Sequence, residues 1–462
     1  MACLTTIHMK YILSFLFLLA LLPASAHKIC IGEGRGAIVV NNFAATYGLK
    51  DGDTVVINHG PGAGVYDYFS FSNSVFKNRL YILASDSGVR FTVCCGGYSS
   101  IANCKGLRLE GFKIWRGAFR GIDITGNTDN IYFKNISFRA IKDWGVYFHG
   151  LTYNGTEATR NDNITFDHCR FDSMPMGVCL SFSNASRGVT IQYCSFENTY
   201  EIPKLGSNTI FFQLIATKVS FHDNTFRHTN LHGVSHNALV YLKGNGRFYN
   251  NYSIDRQGDL FRCSPYTEIS ANSRDRDTLF IYNNRDVSAR KYATVELQQF
   301  AGDTSANIRP ATAYVVGNTG GNFRTADYYP FQARSGGGGS QIDIYTMYTN
   351  FHIWNNLAFR CYMDSTPNTN RVPGGYTFNY QFHDGGGSRP PGIGRFGDTS
   401  NNLYAHSPAA LGITDTLTMH IGAGSPARNR GRAAQFFKTD YKGTRRPVKG
   451  NWDIGAAQSG GK

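Results

Sequence analysis

Tyr241, Lys243, Arg262 and Glu296 sit in three short segments where apolar residues alternate with polar ones, each at a position that alternation turns away from its apolar neighbours. Gln213 and Gln298 occupy comparable places on either side, and Tyr147 and His149 lie in an earlier segment of the same kind. A histidine-rich stretch, His222, His228, His232 and His236, precedes Tyr241. These residue types suit the removal of a proton beside a carboxylate. A guanidinium pairs bidentately with a carboxylate and stays charged, which assigns that contact to Arg262. A lysine beside an arginine loses its proton more readily, because like charges repel, so Lys243 or Tyr241 is the candidate base. His236 is placed to relay the proton, with Gln213, His232, Gln298, Tyr147 and His149 as candidate substrate contacts and Glu296 as a ligand of a substrate hydroxyl or a salt-bridge partner.

Positioning such a set requires a scaffold that repeats. Gly121-Ile122-Asp123-Ile124 is followed by Ile131 to Phe138, and Gly145-Val146-Tyr147-Phe148 by Ile164 to Phe171. Gly177-Val178-Cys179-Leu180 is followed by Val189 to Phe196, and the phrase returns around Val219 to Phe226. A period of roughly 20–30 residues marks a solenoid. Each unit holds only short period-2 runs, so the stacked elements are strands and the expected fold is all-β, a single right-handed parallel β-helix of about ten or more coils. Aligning the glycine-led strands puts Ile122, Val146, Val178, Phe212, Val240, Phe261 and Val295 inside. The residues between them then share one outer wall, with adjacent coils about 4.8 Å apart, close enough for three coils to meet around one sugar unit.

The chain opens with Met9-Lys10-Tyr11, an apolar run from Ile12 to Leu22 and a small-residue site at Ala24-Ser25-Ala26. That pattern reads as a signal peptide over 1–26, too short for a comfortable membrane span, with one β-helix domain over 27–462 and a secreted product. A net charge of +14 favours a polyanionic partner. No nucleic-acid module accompanies it, which leaves an acidic polysaccharide as the expected partner of a monomeric protein. Nine of the ten cysteines lie beyond residue 26, so at least one thiol is unpaired. Cys94 or Cys95 could close a small loop with Cys104, whereas Cys169 and Cys194 hold equivalent places in successive coils and read as rungs of an apolar ladder. Asn127-Thr128-Asp129 lacks the companion motifs that would make it catalytic and reads as a turn.

Leu49-Lys50-Asp51-Gly52-Asp53-Thr54-Val55-Val56-Ile57 resembles the opening coil of many bacterial β-helix proteins. The stretch from Gly424 to Gly431, then Asp440 to Pro447, then Asp453-Ile454-Gly455-Ala456 resembles the ending of secreted β-helix enzymes and surface proteins. Together with the coils, the resemblance covers nearly the whole chain beyond the leader, and it implies a pectate-lyase-like solenoid. Lys243 and Arg262, one coil apart, are similar to the Lys base and Arg of β-helical polysaccharide lyases of the alginate lyase and chondroitinase B type. That resemblance implies β-elimination on a uronate polymer, alginate first. It also implies calcium held by Asn and Glu near the lysine, but Leu239 and Tyr241 stand where acids are expected, so the residues themselves indicate no metal ligand. Two alternatives remain: a glycoside hydrolase or transferase on the same scaffold, and a non-catalytic glycan-binding surface protein.

Overall fold

The computed structural model describes residues 27–459, apart from short segments and the longer stretches 202–208, 232–237, 265–277, 299–310, 324–341, 361–370 and 379–399. Its strands pair almost entirely in parallel, in one 25-stranded sheet and one 12-stranded sheet. The larger sheet is two walls joined: Phe211–His222 and Ala238–Tyr249 are each long enough to run through both. With the 12-stranded sheet as the third wall, the described residues form a parallel β-helix. No helix among them is long and apolar enough to cross a membrane.

The parallel strands turn one face of each wall inward, where they enclose stacked side chains. Phe138, Phe171, Phe196 and Phe226 follow one another along the third wall, ring centroids 4.7 to 5.1 Å apart. Phe133 stacks on Phe166, and Phe148 on Phe182. A second ladder runs along the turn between the second and third walls, each member following a residue of positive φ. It begins with Phe112, Ile136, Cys169 and Cys194, then becomes Asn224, Asn251, Asn284, Asn318, Asn356 and Asn402. Each internal asparagine amide donates to a backbone carbonyl and to the next asparagine Oδ1, at 2.8–3.0 Å, while its own Oδ1 receives the preceding rung. Cys169 and Cys194 are therefore ladder residues, as expected. Cys104 is also a buried free thiol, which removes the loop-closing disulfide; burial pushes that thiol up to about 11.

The inward row corrects the alignment at two coils. In register are Ile122, Val146, Leu180, Phe211, Val240, Phe261 and Val295, so Leu180 and Phe211 replace Val178 and Phe212. With two phenylalanines adjacent, alternation alone accepts either; the structure buries Phe211 and turns Phe212 outward. Gln213 consequently points inward and is fully buried, its Nε2 donating to the Ile215 carbonyl at 2.8 Å. It is a structural residue, not a substrate contact.

The C-terminal motif is a clamp. Phe436 and Phe437 pack on Phe280, Tyr282 and Tyr314 from outside the coils. The Arg446 guanidinium donates to Asn283 Oδ1 at 3.1 Å and to the Gly455 carbonyl at 2.9 Å, while Asp440 gathers the amides of Lys442, Thr444 and Gln458. Burial pulls the Arg446 guanidinium down to about 10.

Candidate functional site

One outward row of the first wall carries the chemistry. Asp123, Tyr147, Ser181, Phe212, Tyr241, Arg262 and Glu296 are in register on consecutive strands. The Tyr241 ring stacks on Phe212 at 5.4 Å on one side, and the Arg262 guanidinium lies 5.8 Å from its centroid on the other. Lys243 projects from the same strand two residues further on, half-buried, opposite Ser264 of the next coil. Tyr241, Lys243 and Arg262 are thus brought together on one face, as the alternation indicated.

Their surroundings differ from expectation. Arg262 is 8% exposed and Glu296 1%. Arg262 donates from Nη2 to Asp259 Oδ2 at 2.8 Å, and its Nε is ion-paired with Glu296 Oε1 at 2.7 Å. Burial would lower the Arg262 pKa, but the Glu296 and Asp259 carboxylates, with Tyr241, more than reverse this and hold it charged. Behind this clamp lies a second buried pair. Arg256 donates to Asp286 from Nε at 2.8 Å and from Nη2 at 2.5 Å, and to the Ala293 carbonyl at 2.9 Å, while Asp259 accepts the Ala293 amide at 2.9 Å. The polar network begins where the phenylalanine ladder ends, since Ser253 and Asp286 succeed Phe226 on the inward row of the third wall. Arg262 is therefore not an open fork for a substrate carboxylate, and of the two readings of Glu296 the salt bridge is the one formed. Asp259, only three residues before Arg262, could have been suspected from the sequence as a pairing acid.

Tyr147 and His149 belong to a second group on the same wall, in the row of Tyr241 and the row beside it. His149 Nε2 lies 2.8 Å from Asp123, and Arg120 donates to Asp123 Oδ1 at 2.6 Å. Tyr147 is stacked between Trp144 and His149, 4.9 Å from each, with the Arg120 guanidinium 4.4 Å from its ring centroid. Burial raises the Asp143 carboxyl, against the pull of Arg120. Arg120, Asp143 and Trp144 lie in turns, where strand periodicity gives no signal. This group stands three strands from Tyr241, about 14 Å at the spacing of parallel strands.

The histidines do not gather beside Lys243. His222 is on the second wall, its Nδ1 2.7 Å from Asp223 and its ring 4.6 Å from Tyr249. His228 is on the third, 3.5 Å from Asp255. Tyr241 and Lys243 face neither. His232, His236 and the Gln298 side chain lie outside the described residues. The described residues bring no three His, Cys, Asp or Glu side chains together for a metal ion. Asp259 and Glu296, the acids nearest the proposed chemistry, are bridged by a guanidinium, so this donor set does not fit calcium.

No family model and no curated protein matches the chain. Solved structures align with it at low identity. Pectate lyase Pel9A shares 12% identity over 92% of this chain and 96% of its own, with a TM-score of 0.37. An alginate lyase from Paenibacillus sp. str. FPU-7 shares 14% over 68% and 99%, TM-score 0.37. The catalytic unit of an α-1,3-glucanase from Streptomyces thermodiastaticus shares 11% over 82% and 71%, TM-score 0.33. Polysaccharide lyases and glycoside hydrolases are both among the structures it aligns with.

Proposed function

We propose that the protein is a secreted polysaccharide lyase that cleaves a uronate-containing polysaccharide, alginate first, by β-elimination. The observation that carries this reading is the side-by-side placement of Tyr241, Lys243 and Arg262 on adjacent strands of one wall. The base removes the proton on C5, those electrons form the C4–C5 double bond, and the C4–O4 bond breaks with a proton returned to O4. Charge builds on the C6 carboxylate before O4 leaves, and a fixed cation there lowers the barrier. Because Arg262 is already held by two carboxylates, Lys243 takes the substrate carboxylate and Tyr241 the C5 proton. Arg262 then serves as a positioning residue, its guanidinium 5.8 Å from the centroid of the Tyr241 ring.

Hydrolysis calls for two carboxylates within about 5–10 Å of each other. The row offers Asp123 and Glu296, six strands and about 29 Å apart, both buried and ion-paired, and the nearer pair, Asp259 and Glu296, is buried and held by one guanidinium. The test is a panel of acidic polysaccharides, followed by ultraviolet absorbance of unsaturated uronate and by a reducing-end assay. Both signals together are expected. New reducing ends without the absorbance would identify a hydrolase, and retention on a glycan column without either signal a binding protein.

A further inference from the structure

The turns that lead into the first wall carry a basic and aromatic surface distinct from the Tyr241 group. Trp115 ends a strand of the third wall, with the guanidinium groups of Arg90 and Arg116 at 5.1 and 4.7 Å from its ring. Phe119, in the same turn as Arg116 and Arg120, is 55% exposed. The equivalent turn of the next coil lies directly against it: the Arg116 amide donates to the Arg139 carbonyl at 3.0 Å, Lys142 to Gly117 at 2.8 Å and Gly121 to Trp144 at 2.7 Å. Arg90, Arg116, Arg120, Arg139 and Lys142 therefore border one surface with Trp115, Phe119 and Trp144. Of its acids, Asp123 is taken by Arg120 and His149, and Asp172 by Arg139 and Arg170. Asp143 is half-buried and raised by desolvation. Among the described residues no carboxylate pairs with Arg90, Arg116 or Lys142.

We propose that this surface is a docking patch for an acidic glycan, holding a stretch of the polymer about three coils from Tyr241. The inference rests on reading the first wall as the site of such a glycan. The cations meet the carboxylates, and the exposed rings accept the apolar faces of the sugars. Tyr147, in register with the Tyr241 row, links the patch to that wall. An extended glycan advancing about one coil per sugar would span both groups.

The test compares the parent with Arg116→Glu/Lys142→Glu and with Phe119→Ala, all exposed positions outside the proposed chemistry, folding being checked by circular dichroism. Binding of long-chain alginate and polygalacturonate, and of their trimers, is measured at two salt concentrations. Affinity for the long chains should fall on the order of tenfold, with a shallower salt dependence, while trimer binding is unchanged. Unchanged long-chain affinity, an equal loss for trimers, or stronger competition by single-stranded DNA than by either glycan would overturn the patch. Loss of long-chain affinity in a protein that yields no unsaturated product would leave the patch standing and reject the lyase reading.

Discussion

Tyr241 and Lys243 share a strand face, but their neighbour Arg262 is held from two sides, and this separates what each substitution should do. Tyr241→Phe and Lys243→Ala should each lower turnover on a uronate polymer by a factor on the order of 10² with an unchanged melting temperature. Arg262→Ala should instead cost about 3–5 kcal/mol of stability, measurable by denaturant titration, because it strands the buried Asp259 and Glu296 carboxylates. A stable Arg262→Ala protein would mean that the clamp relaxes on its own. Period-2 alternation was enough to align Tyr241, Arg262 and Glu296, because each is flanked on both sides by an inward apolar residue: Val240 and Leu242, Phe261 and Cys263, Val295 and Leu297. It failed at Gln213, where two adjacent phenylalanines compete for the inside. It was silent on Arg120 and Trp144, which stand in turns and answer to no strand period.

Among the elements, the asparagine ladder and the first coil give opposite kinds of stabilisation. Asn284→Ala leaves the Asn251 amide, the Asn318 Oδ1 and the Phe248 carbonyl each short of a partner. At about 1–3 kcal/mol per orphaned group, this should be among the costlier polar substitutions in the chain, read by thermal melting. The ladder was only half legible: Cys169 and Cys194 marked its line, but the asparagines that continue it look like ordinary turn residues in a linear reading. The first coil depends on one carboxylate. Asp53 is buried and accepts the amides of Lys50 at 2.7 Å and His27 at 2.8 Å, and those bonds hold it below the usual carboxylate range. A carboxyl depressed in the folded state stabilises above its unfolded pKa of about 4 and loses that contribution as pH falls through the folded value. The melting-temperature difference between parent and Asp53→Asn should therefore be full near neutral pH and shrink in acid. A constant difference would show that Asp53 acts through packing instead.

For the whole molecule, a charge of +14 and a wall lined with cations lead to salt-sensitive binding. Affinity for a polyuronate should weaken steadily as ionic strength rises, because the attraction is screened and counterions are released. Affinity independent of salt would remove electrostatics from recognition. The β-helix was legible because its repeat is short and its strands are stacked in register. The task of its ending was not, because Asp440 and Arg446 act on residues such as Asn283 and Gln458 that no local pattern connects to them.

That ending also sets a clock. Ribosomes release the coils first, so Phe280, Tyr282 and Tyr314 wait with their outer faces uncovered until Phe436, Phe437 and Arg446 have been translated. For the length of chain in between, each nascent molecule exposes an aromatic stripe that a neighbouring molecule could cover as readily as its own tail. A chain stopped at residue 423 would remain in that state, and it should collect in the insoluble fraction while the full chain stays in solution.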